Sequence, residues 1–172
     1  MVAGLFFVIC EVLLISGIAK VLSPSPTKTA LSAVGLPSSL LIVRCLGLTE
    51  IIMGLLGILV GGRYLPIVIG GLFAFFTLFI LIALRHDQLT TCGCFGATTT
   101  PPTALHAFAN LAFMIVALLA IGVDGLSDVL GGQRAYGIPF LLSVLLGALV
   151  TYLSLVYLPR FWRNKNATSN FR

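Results

Sequence analysis

Five stretches of the chain stay apolar long enough to cross a bilayer: residues 3–22, 38–60, 64–84, 103–122 and 136–158. A spanning helix needs about 20 mostly apolar residues, and each stretch reaches that length. Between them stand SPSP at 23–26, GLPSS at 35–39, GGRY at 61–64, TTTPPT at 98–103 and GGQRAYG at 131–137. Gly and Pro in such clusters end helices and start turns. The pattern predicts an all-α, polytopic membrane helical bundle of about five transmembrane helices, a four-helix core plus a C-terminal span. Residues 27–36 suit a short interfacial helix. A single transmembrane domain over 1–160 is expected, followed by a basic, disordered tail over 161–172.

Composition agrees with a bilayer as solvent. Of 172 residues, 59% are hydrophobic and 9% charged, and the mean hydropathy is +1.13. Soluble domains hold roughly 45–50% apolar residues, so a water-soluble globule and a disordered chain are both excluded. The net charge of +5 is small and scattered, which gives no footprint for nucleic acid. The first apolar stretch lacks a basic start and a small-residue cleavage site, so it is expected to remain as a span.

Cytoplasmic loops hold the excess of Lys and Arg. One face of the predicted bundle carries Lys20, Lys28, Arg85, Arg160, Arg163, Lys165 and Arg172, with Arg44 just inside it. The other carries Arg63 and Arg134 beside Asp124 and Asp128. The expectation is an N-terminus outside, a C-terminus in the cytoplasm, and the loop between spans three and four on the cytoplasmic side.

That loop, RHDQLTTCGCFGATTTPPT at 85–103, holds the most specific chemistry. Cys92 and Cys94 are separated only by Gly93, whose conformational freedom allows the sharp bend a small disulfide ring needs. So tight a bridge is strained and exchanges readily. Thr99 or Thr100 is expected to cap the next helix, with Pro101 and Pro102 in its first turn. The positive end of that helix would favour a nearby thiolate. Thr103, His106 and Asn110 share one helical face, directed into the bundle, with His106 the candidate proton handler. His106 and Asn110 could equally join helices through hydrogen bonds. Two thiolates with His86 or His106 leave a metal site open, although a second Cys pair is missing from the loop.

Counting 1.5 Å per residue from the boundary shared by spans one and two puts Glu11 about 16 Å deep and Glu50 about 18 Å. Arg44 falls about 9 Å deep and Lys20 about 3 Å. An ionised carboxylate at mid-membrane costs at least about 2.5–3.5 kcal/mol unpaired. One or both carboxyls should therefore be protonated or tied to Arg44, facing inward, as a proton relay or an inter-helix clasp. Glu50, Gly54, Gly57 and Gly61 share a face that admits another helix closely. Cys45 falls about 10 Å and Cys10 about 18 Å below the loop side, too unequal for a static bridge between them. Each suits packing, with Cys45 the better placed third thiol.

GIAKVLSPSP at 17–26, LGLTEIIMGLLGI at 46–58 and CGCFG at 92–96 resemble the MauE branch of the MauE/DoxX redox-associated membrane proteins over roughly 120 residues. The resemblance implies a helical bundle serving thiol-disulfide chemistry of exported proteins in a bacterial plasma membrane, beside a thioredoxin-like partner and a client disulfide protein. By position it implies Cys92 and Cys94 as the redox pair, and Lys20 and Glu50 as family-like polar positions. Where relatives often show Arg-Asn early in span four, this chain has Ala109 before Asn110. An inward loop with an external client would require electrons to cross the membrane, through Cys45, Cys10 or a quinone. No cofactor is otherwise implied. Two further readings are a non-catalytic assembly partner for a thioredoxin-like protein, and a metal transporter or chaperone.

Overall fold

A computed structural model describes residues 2–85, 103–131 and 137–169, with side chains described up to residue 157. His86, Cys92, Cys94, Pro101 and Pro102 lie outside the described residues. The elements in order are α1 (Val2–Leu22), α2 (Ser25–Ala33), α3 (Leu40–Leu59), β1 (Gly61–Gly62), α4 (Tyr64–Ala83), α5 (Ala104–Leu119), β2 (Val123–Asp124), α6 (Leu126–Gly131) and α7 (Gly137–Ser169). α1, α3, α4 and residues 137–157 of α7 are long and apolar enough to span a membrane. α5 is apolar but shorter, at 16 residues. It is thus about 24 Å long, a turn short of the stretch its sequence offered.

The shortening has a local cause. The chain turns at Gly122, where φ is +89°, and residues 123–124 pair antiparallel with Gly61 and Gly62. This ribbon ties the α3–α4 turn to the end of α5. Gly61 (φ +60°) and Gly62 (φ +85°) occupy the left-handed region open to glycine, and a Cβ on Gly61 would run into the Val123 carbonyl. We expect Gly61→Ala to destabilise the protein by about 1–2 kcal/mol or more, read as a lower unfolding midpoint in detergent. Gly62→Ala, with open space at its Cβ position, should show the smaller backbone cost alone.

α1 is the central helix. Its apolar window is 44% buried against 17% for that of α7. It runs antiparallel to α3 along glycine-lined contacts, Gly17 against Gly47 and Cys10 against Gly54 and Gly57. Small residues let two backbones approach where lipid supplies no hydrophobic drive between helices. α4 pairs with α5, and Phe73 meets Phe113 edge-on at 5.2 Å between centroids. α7 leans on α1 through Phe140 and Phe7. Phe6, Phe7, Cys10, Leu13, Ile69, Phe73 and Val144 form the main core. Large side chains such as Leu41, Leu59, Phe108 and Ile138 point outward, as expected where the surroundings are acyl chains.

A second cluster closes the end of the bundle nearest Lys20. Ala30 and Leu31 of α2 pack there with Val43, Phe79, Ile80, Ala83 and Ala107. α2 starts with proline in its first turn and buries Thr27, Ala30 and Leu31, while Lys28 and Thr29 stay exposed. At this same end the chain leaves α4 at Arg85 and returns at Thr103.

Candidate functional site

The interior of this end holds an ion pair. Lys20 Nζ lies 2.8 Å from Glu50 Oε2 and donates to Ser16 Oγ at 2.6 Å. Glu50 is wholly buried and Lys20 4% exposed, so both charges are withdrawn from solvent and each depends on the other. The ammonium also sits 5.3 Å from the centre of the Phe76 ring, a cation–π distance. Glu50 Oε1 is buried and has no hydrogen-bond partner among the described residues.

The close crossing of α1 and α3 creates the pair. Glycines at 17 and 47 put the helices in backbone contact, which sets Lys20 about one turn from Glu50 along the paired axes. Ser16 and Lys20, four residues apart, then share the face that meets Glu50.

Polar groups from α5 converge on the same space. Thr103 is the N-cap residue of α5 in extended conformation, so the cap is neither Thr99 nor Thr100. Its hydroxyl lies 2.7 Å from His106 Nδ1, and the backbone of Leu155 on α7 also hydrogen-bonds the His106 side chain. His106 is 2% exposed and held from two helices. Asn110 donates to the His106 carbonyl at 2.8 Å. Lys20, Ser16, Thr27, His106 and Asn110 line one cavity of about 50 Å³, walled by Phe73, Phe76, Phe79 and Phe113.

Other sequence candidates fall elsewhere. Arg44 is exposed, and the expected tie between a mid-membrane carboxyl and Arg44 gives way to Lys20. The reason is register: Arg44 precedes Gly47 on a lipid-facing side of α3, whereas Lys20 points into the crossing. Glu11 is partly buried. Cys10 is a free, buried thiol packed where a Gly57 side chain would stand, and Cys45 is free and exposed. Cys10 faces Gly54, nine residues along α3 from Cys45, or about 13 Å. That exceeds disulfide reach. Among the described residues, no three of His, Cys, Asp and Glu gather as a metal site. Ser16 and Thr27 were not anticipated, though the four-residue spacing of Ser16 from Lys20 marks it as a partner in hindsight.

The model of the methylamine utilisation protein MauE family matches residues 1–123. The chain belongs to the MauE family. The match covers the first three spans, the cysteine loop and α5, and so every polar residue named above except the α7 contact. MauE ties this multi-pass membrane protein to a methylamine-utilisation setting. No curated protein and no solved structure matches the chain.

Proposed function

We propose that this MauE-family protein is a thiol-disulfide oxidoreductase or electron conduit of the bacterial plasma membrane, serving redox maturation of exported proteins. The supporting observation is the Cys92-Gly93-Cys94 sequence within the family match, in a loop whose anchors, Arg85 and Thr103, stand at the Lys20 end of the bundle. One cysteine, as thiolate, attacks the disulfide of a thioredoxin-like partner, forms a mixed disulfide and expels a partner thiolate. The second attacks its neighbour, closes Cys92–Cys94 and frees the partner as a dithiol. Two electrons pass to the partner, and the reverse sequence passes them back. His106 is the proton-handling residue nearest the chain's return into α5, and Glu11 and Glu50 are the deeper carriers. The N-terminus lies outside and the loop in the cytoplasm, the arrangement that the Lys and Arg distribution supports.

Cys92→Ser and Cys94→Ser should each abolish disulfide exchange with a purified thioredoxin-like protein, while membrane insertion stays intact. The single variants should differ in one respect: that retaining the attacking cysteine accumulates the mixed disulfide. Variants that still mature the client would show that the bundle only docks its partner.

A further inference from the structure

The cavity beside Lys20 is too large to be a packing gap and too small for a ring. A buried water needs roughly 10–15 Å³ by this measure, whereas an apolar cavity of about 150 Å³ takes a benzene. At about 50 Å³ the space holds about four waters, and a quinone ring does not fit it. Water also needs polar partners, and these are present in Lys20, Ser16, Thr27 and Asn110. Behind Lys20 and Ser16 stands Glu50, whose second carboxyl oxygen is buried and has no partner among the described residues. A carboxylate oxygen without a donor is costly in such a place, and a proton is the smallest group that removes the cost.

We propose that water occupies this cavity and serves a reversible protonation site at Glu50. Uptake forms one O–H bond on the carboxyl, opens the ion pair and leaves one positive charge on Lys20. Release reverses the step, and no electrons move. The proton arrives from bulk water through the cavity and passes along the Ser16 hydroxyl and the Lys20 ammonium. Among the described residues, the charged and titratable groups around the path are few. α1 supplies Lys20, α3 Glu50 and α5 His106; Lys28 of α2 and Arg44 of α3 are exposed, and α4 and α7 line the cavity with apolar side chains.

The inference rests on the carrier role proposed for Glu50 above, but the protonation itself needs no thiol, so the Cys92→Ser, Cys94→Ser double variant should behave as the native chain does here. The test is infrared difference spectroscopy of the full chain in lipid nanodiscs, titrated with pH and transferred into D₂O. The chain has five Asp and Glu residues, few enough to assign by substitution. A carboxylic acid C=O band should titrate, vanish in Glu50→Gln and survive in Glu11→Gln. It should move to lower frequency in D₂O within the mixing time. Asn110→Leu, or Leu46→Phe if that variant fails to fold, fills the cavity and should slow this shift at least tenfold. A spectrum unchanged by Glu50→Gln, or a D₂O shift of undiminished speed in the filled variants, overturns the proposal.

Discussion

Lys20→Met should be among the most damaging substitutions in the chain, lowering stability by about 3–5 kcal/mol, the usual cost of removing one partner of a buried ion pair. The methionine fills much the same space, so the loss is electrostatic. Glu50 is left wholly buried, with Ser16 beside it and one oxygen without a partner among the described residues. It has one escape, to take up a proton. Protonating a carboxyl of ordinary pKa about 4.3 at pH 7 costs about 3.7 kcal/mol, which caps the penalty near the same figure. Two observations follow. The Lys20→Met chain should hold Glu50 as a neutral acid throughout the pH range in which it folds. The Lys20→Met, Glu50→Leu double variant should recover most of the loss, because a buried pair replaced by apolar groups is often neutral. A double variant as unstable as the sum of its singles would mean that the two residues act apart.

Gly17→Leu should approach this in size by a different route. A Cβ on Gly17 would come within 2.6 Å of the Gly47 carbonyl oxygen and 2.9 Å of Ile51, while one on Gly47 would come within 2.8 Å of the Gly17 carbonyl oxygen. The two carbonyl oxygens are backbone and cannot rotate away, so the helices must separate. Overpacking costs about 1–3 kcal/mol, and separation also stretches the Lys20–Glu50 contact. We expect a loss of about 3 kcal/mol or more in reversible unfolding in mixed micelles. The matched control is Gly71→Leu, where nothing lies within 4 Å of the added Cβ; it should shift stability by no more than about 0.5 kcal/mol.

The spans were legible from the sequence because apolar length is a property of each segment alone. The face shared by Glu50, Gly54 and Gly57 was legible too, and the helix it admits is α1. The partner of Glu50 was not. Depth counted from level boundaries at residues 22 and 38 separates Lys20 from Glu50 by about 15 Å, and so directs attention to Arg44. In the structure α3 begins at Leu40, and the Gly17–Gly47 contact sets a register that segment boundaries cannot reveal. The long Lys20 side chain then reaches inward instead of toward the membrane surface. The β1–β2 ribbon was equally hidden. The Gly-Gly pair announces a turn, but pairing of two-residue strands depends on where α5 delivers Val123, a tertiary matter. The inward polar face of α5 could be read from its spacing, whereas its meeting with Lys20 in one cavity depends on how five helices pack.

The proposed redox cycle requires a Cys92–Cys94 bond that forms and breaks. It is tested most directly by equilibrating the Cys10→Ala, Cys45→Ala protein in nanodiscs with graded thiol-disulfide buffers, quenching with an alkylating reagent and weighing the intact chain. A reversible transition between zero and two alkyl groups is expected, with no stable state carrying one. Two alkyl groups under every oxidising buffer would contradict it.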